Sequence, residues 1–241
     1  MYYGIPFRAR RLRRFYAQFV QPGALCFDVG AHAGNRVRCW RQLGARVVAI
    51  EPQPDFVRVL HWLYGRDEGV EIVPLAVGRS EGSAELLISE RTPTVTTLSQ
   101  DWATNVQRDA RFAGVSWTRG QRVEVVTLQS LVERYGEPQF VKVDVEGFEA
   151  EVLAGLVTPV RGLSFEYLPA TREIALDCIA RLSALAPYRY NWSPGESHRL
   201  ASTQWLDAAG MRALLIGLPP LASSGDVYAV RGDLTAPEAW G

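Results

Sequence analysis

The chain has 241 residues, 47% of them apolar and 22% charged, and its formal net charge at neutral pH is zero. That length and balance suit one large domain or two small ones with a sizeable core. Zero net charge excludes a global electrostatic pull toward nucleic acid or acidic membranes.

Cys26, Cys39 and Cys178 are isolated and odd in number, which argues against a disulfide framework and against a zinc site. They read as reduced thiols in a reducing, cytoplasmic compartment. The N-terminal MYYGIPFRARRLRRFY is basic but lacks the apolar segment of a signal peptide. No apolar run approaches the roughly 20 residues that span a bilayer.

The first predicted element is an amphipathic helix over residues 8–19, with five arginines between positions 8 and 14. It reads as a basic N-terminal cap within residues 1–22. Its charged face is either simply solvated or meets an anionic substrate or a membrane surface. ALCFDVG is a buried strand, and a loop leads to a helix from about Asn35 to Leu43, closed by Gly44. ARVVAIEP is a second strand. PDFVRVLHWLYG is a helix with Pro54 at its start and Gly65 at its end. VEIVPLAVG reads as a third strand. This alternation of continuous apolar strands and helices predicts a parallel sheet covered on both faces.

SAELLIS alternates as a strand, but residues 89–120 show no sustained period and read as a lid or substrate loop. RVEVVTL is a strand, QSLVERYG a short helix and FVKVDV a strand. A helix follows from Gly147 to about Gly155. GLSFEYLP, TREIALDCIARLSALA and YRYNW then give strand, helix and strand. TQWLDAAGMRALLIG reads as helical and DVYAVR as a final strand. No linker or repeat interrupts the chain, so residues 1–241 read as one domain.

FDVGAHAGN puts Asp28, Gly30 and Gly34 at the first strand–helix junction, where ligands of such sheets bind. Glycine allows close approach to the backbone, and the next helix offers free N–H groups. The second strand ends in Glu51, a carboxylate able to accept both hydroxyl hydrogens of a ribose. The pattern is not G-x-G-x-x-G, because Asp28 stands where the first glycine should be. An acid there repels a pyrophosphate and suits a ligand with an ammonium group. Adenosine joined to a cationic amino acid describes S-adenosylmethionine.

In order, FDVGAHAGN, VVAIEPQP, VPLAVG, VTLQSLVERYG, FVKVDVEGFEAEVLAGL and LSFEY resemble the FkbM-type methyltransferases. The resemblance implies a Rossmann-like class I methyltransferase fold. That fold is a mostly parallel seven-stranded sheet with one reversed strand and helices on both faces. It implies S-adenosyl-L-methionine as cofactor. Asp28, Gly30 and Gly34 match the loop that holds the methionine part, with Ala31, His32 and Asn35 in the same loop. His32 replaces the asparagine usual there. Glu51 matches the ribose acid, with Pro52 and Gln53 beside the adenine. Leu75 and Ala76 match the end of the third strand near the purine. Asp144 matches the end of the fourth, facing the sulfonium.

Lys142 is the only lysine in the chain. If its strand ran through Val145, Lys142, Asp144 and Glu146 would share one face. A buried lysine needs a partner, and the acid two residues on would supply one. Asp144, Glu146, Glu166 and His198 are the candidate bases, with Lys142 tuning the acids. The three acids could instead hold magnesium, although no spacing demands it, and no metal is expected. Trp102 and Trp117 read as a greasy lid or as simple packing.

The expected activity is O-methylation of a hydroxyl on a small molecule, natural product or glycan. The alternatives are N-methylation, a nicotinamide-dependent oxidoreductase, or a non-catalytic nucleotide-binding module. Neither a nucleic-acid partner nor a membrane span is expected.

Overall fold

The computed structural model describes residues 6–89, 96–106, 115–117 and 119–233. Its elements run α1 (Pro6–Tyr16), β1 (Leu25–Val29), α2 (Asn35–Gln42), β2 (Arg46–Ile50), α3 (Pro54–Tyr64), β3 (Val70–Val73), β4 (Ala76–Gly78) and β5 (Gly82–Ile88). They continue with α4 (Gln100–Val106), β6 (Arg119–Thr127), α5 (Leu128–Tyr135), β7 (Phe140–Val143) and α6 (Glu149–Ala154). The chain then forms β8 (Gly162–Tyr167), α7 (Arg172–Leu185), β9 (Tyr188–Pro194), α8 (Ala208–Gly217) and β10 (Gly225–Arg231).

The main sheet has seven strands in the order β3-β2-β1-β7-β8-β10-β9. Neighbours from β3 to β8 pair in parallel, while β10 runs antiparallel to both β8 and β9. One reversed strand therefore lies next to the edge. The order turns back between β1 and β7, so the carboxyl ends of these two strands frame a crevice.

Alternation sorts each central strand between two apolar layers. Phe27, Val29, Val141, Val143 and Phe165 face one cluster, filled by Leu128 and Leu131 of α5, Leu153 of α6 and Ile179 of α7. Cys26, Phe140 and Tyr228 face the other, filled by Phe15 and Tyr16 of α1, Trp40 of α2 and Leu60 of α3. Aromatic rings anchor α1 there: Phe15 meets Tyr228 edge to face at 5.1 Å, and Phe19, just past the helix, stacks on Tyr228 at 5.2 Å. Local chemistry starts the helices. Pro54 opens α3, the Thr127 side chain accepts from Ser130 N–H before α5, and the Asp207 carboxylate accepts from Gly210 N–H before α8.

Three expectations need correction. VEIVPLAVG is two strands: Pro74 has no N–H to continue a ladder, so β3 ends at Val73 and β4 joins a separate sheet of order β4-β6-β5. The stretch 89–120 is not all loop, since α4 occupies Gln100–Val106 and β6 begins at Arg119. Residues 90–95, 107–114 and 118 lie outside the described residues. TQWLDAAGMRALLIG is helical only from Ala208, because Asp207 caps that helix.

Candidate active site

A cavity of about 650 Å³ opens at the carboxyl edge of the sheet, within the range that holds small molecules and cofactors. Gly30, Ala31 and His32 of the loop after β1 form one wall, and Gly34 stands behind it. Gly30 and Ala31 N–H both donate to the Ile50 carbonyl, at 2.9 and 3.0 Å, folding the loop onto the end of β2. Gly30 has φ 82°, and a Cβ there would lie 1.9 Å from the Asp144 carbonyl oxygen. Only glycine lets β1 and β7 pass so closely. Gly34, at φ 78°, begins α2 and accepts a hydrogen bond from the Tyr64 hydroxyl at 2.8 Å. His32 also takes a left-handed backbone, and its ring lies 4.2 Å from that of Phe56.

Glu51 stands on the same wall, at the end of β2. One carboxylate oxygen accepts from His32 N–H at 2.9 Å and the other from Gln53 N–H at 2.8 Å. Burial, at 4% exposure, lifts its pKa to about 7 against the pull of those two donors. Pro52 and Gln53 continue the wall, and Leu75, Ala76, Val77 and Leu86 supply an apolar side. Ala31 and Asn35 line the cavity as well.

Asp28 is fully buried, and neither carboxylate oxygen has a hydrogen-bond partner. Burial raises it to about 7, opposed mainly by Arg36. It pairs in register with Lys142 across β1 and β7.

Lys142 is completely buried, and its ammonium donates to Asp226 of β10 at 2.6 Å. Asp144 lies farther off at 3.8 Å. The expected pairing with the acid two residues on is therefore present, and a second, closer partner, Asp226, lies on the reversed strand. Burial alone would lower the lysine's pKa, but Asp144 and Asp226 hold it above the ordinary range. Arg36 of α2 forms the main ion pair of Asp144. Burial opposes ionisation of Asp144, yet Lys142 and Arg36 together hold it at about 2.

Glu146 does not continue the strand. β7 ends at Val143, and Glu146 turns into a left-handed conformation at φ 51°. The turn still returns its side chain to the others, because oxygens of Asp144, Glu146 and Glu166 all lie within 4.8 Å of one another. Burial and then Asp144 lift Glu146 well above the usual carboxylate range. Burial and then Glu146 do the same for Glu166. Glu149 underpins the turn by accepting from Val145 and Gly147 N–H, at 3.1 and 3.3 Å. The Thr97 hydroxyl donates to the Glu146 carbonyl at 2.6 Å.

Asp144, Glu146 and His198 line the cavity, whereas Lys142 and Glu166 stand outside its wall. His198 lies 3.4 Å from Glu196, and burial lowers its pKa. Trp102 and Trp117 meet edge to face at 6.2 Å, and neither lines the cavity. Trp102 instead packs on Gly147, where a Cβ would strike its ring. Sequence reasoning missed Arg36, Glu149 and Asp226. Arg36 and Asp226 join the acids through long-range register, and no short motif marks it.

The strand order, the single reversed strand and the crevice at the switch point define a class I, Rossmann-like methyltransferase fold. The family model described as the methyltransferase FkbM domain matches residues 28–167, and the chain belongs to that family. It is 30% identical over 141 residues to the hexuronic acid methyltransferase AglP of Haloferax volcanii, an alignment covering 58% of this chain and 52% of that protein. The chain thus spans about half the length of that curated relative. Among solved structures, the precorrin-6y C5,15-methyltransferase of Geobacter metallireducens overlays with a TM-score of 0.48 at 10% identity, over 96% of this chain and 93% of that one. An O-methyltransferase of Bacillus cereus in complex with SAH overlays with a TM-score of 0.46 at 10% identity, over 95% of this chain and 82% of that one.

Proposed function

We propose that the chain is a cytoplasmic S-adenosylmethionine-dependent O-methyltransferase acting on a hydroxyl of a small molecule or glycan. The observation that carries the reading is Glu51, a carboxylate fixed by two backbone N–H groups on the wall of a cofactor-sized cavity. Its remaining lone pairs are free for the two hydroxyls of a ribose. The donor set fits the rest of the cofactor. Leu75, Ala76, Val77 and Leu86 suit a purine, and Gly30 exposes backbone to the amino-acid portion. Asp28 stands behind the cavity wall, fully buried and without a hydrogen-bond partner, and its charge supports a cationic ligand through that wall rather than by contact. When bound, S-adenosylmethionine supplies a methyl group activated by its sulfonium. A sugar acceptor is supported by the relative's name, hexuronic acid methyltransferase, and a hydroxyl as the methylated group by the cluster of carboxylates. The three buried free thiols support a reducing compartment.

The acids divide the work according to their environments. Asp144, held near 2, is too weak a base to take a hydroxyl proton and serves to orient the acceptor. Glu146 is raised well above the usual range and lines the cavity, so it is the general base. Glu146 would take the proton of the acceptor hydroxyl, and the bound cofactor would supply the methyl group, its sulfur leaving as a neutral thioether. Such a base contributes roughly 10²–10⁴-fold, and alignment contributes the larger share.

Calorimetric titration tests the reading. Hydrogen bonds to a charged group contribute about 1.5–3 kcal/mol each, so Glu51→Ala should weaken S-adenosylmethionine by at least about tenfold. Asp28→Ala should weaken it as well. Glu146→Gln should keep the affinity and lose turnover. Absence of binding heat from a folded protein refutes the proposal.

A further inference from the structure

The zero net charge conceals a lopsided distribution. Residues 1–46 contain nine arginines and one acid, Asp28, which is fully buried. Helices α1, α2 and α3 all pack into the apolar cluster on one face of the sheet, so their outward faces form one side of the molecule. On that side Arg10, Arg11, Arg13 and Arg14 of α1 are exposed, as is Arg38 of α2, which also lines the cavity. Among the described residues none of these five side chains has a hydrogen bond or ion-pair partner. Arg41 is taken by Asp67 and Arg58 by Asp55.

α3 adds a different chemistry to the same side. Val59, Trp62 and Leu63 are 36%, 83% and 46% exposed. Spacings of three and four residues place them on one helix surface. Arg66 and Glu68, both exposed, follow at its end and offset each other. An indole this exposed, beside leucine and valine, is costly to leave in water. Trp prefers the boundary between lipid tails and headgroups, and arginine prefers phosphate there.

We infer that this side docks the protein on an anionic lipid bilayer. Trp62, Leu63 and Val59 enter the interfacial layer, and the α1 arginines lie against the headgroup phosphates. A nucleic acid would draw the same arginines but gives no reason for the aliphatic residues beside Trp62. Ala9 and Leu12 of α1 line the cavity, so docking brings the site to the lipid surface. The inference goes beyond the proposed methyl transfer and stands without it.

Vesicle co-sedimentation of the full chain tests it, comparing pure phosphatidylcholine with a mixture containing one quarter phosphatidylglycerol. The chain should bind the anionic vesicles, and the neutral ones at least about tenfold more weakly. The quadruple variant R10Q/R11Q/R13Q/R14Q and the variant W62A/L63Q should each lose binding by a similar factor. Circular dichroism should report native helix content in both, because every replaced side chain is exposed. Equal binding to the two vesicle types overturns the inference, as does wild-type binding by either variant. A Trp62-dependent dimer in light scattering without vesicle binding would assign the face to a second copy of the chain instead.

Discussion

Replacing Asp226 with asparagine keeps the shape of the side chain and removes its charge, leaving Lys142 without its nearest counter-ion. The ammonium is 1% exposed and Asp226 20%, so water reaches the lysine poorly. Breaking a buried pair in this way costs about 3–5 kcal/mol when the remaining charge is uncompensated. Here Asp144 remains 3.8 Å away, although its main ion pair is with Arg36. The expected loss is therefore smaller, about 2–3 kcal/mol. For a chain of this size that lowers the melting temperature by roughly 4–12 °C. Urea denaturation followed by circular dichroism measures it directly. Lys142→Met should cost less, since Asp144 keeps Arg36 and Asp226 keeps some contact with water. The double variant should recover part of the Asp226→Asn loss, because no buried ammonium is left unpaired. A loss below about 0.5 kcal/mol for Asp226→Asn, the level of an ordinary surface change, would refute the assignment.

Gly30→Ala should destabilise by at least about 3 kcal/mol in the same assay, combining a left-handed backbone with a collision against the Asp144 carbonyl. Asp28, Glu51 and Glu149 are each raised to about 7, so the folded protein binds more protons than the unfolded chain between about pH 4 and 7. Their contribution is full below that window and lost as pH rises through it, so the ligand-free protein should unfold at lower urea at pH 8 than at pH 5.5. Asp144 works the other way, since its contribution is present above about pH 4 and lost toward pH 2. Affinity for S-adenosylmethionine should fall between pH 8 and pH 5.5, as Glu51 and Asp28 gain protons. Methyl transfer should survive a chelator such as EDTA, and activity lost to EDTA and restored by magnesium would reassign Asp144, Glu146 and Glu166 to a cation.

The strand–helix alternation from Leu25 to Val73 was legible because continuous apolar strands and a glycine turn are local signals. The cavity wall was legible for the same reason, since Gly30, Glu51, Pro52 and Gln53 end adjacent strands or begin the loops after them. The break at Pro74 was misread because VEIV and AVG are both β-formers, and a sequence does not show that they serve different sheets. Lys142 stood out by composition and Asp144 by spacing, but its nearer partner lies 84 residues on, across a strand whose register depends on the whole sheet. Strand periodicity placed Glu146 on the correct face for a reason that proved wrong. The chain leaves the ladder after Val143, and a left-handed turn at a non-glycine residue brings the carboxylate back.

Burial of the only lysine has a practical corollary for chemical modification. Every exposed cation on the described surface is a guanidinium or an imidazole, so acylating labels, amine crosslinkers and lysine acetyltransferases find no side-chain target on the native protein. Reaction of such a reagent at Lys142 would therefore report opening of the sheet beneath α1, a built-in sensor of unfolding that needs no engineered probe.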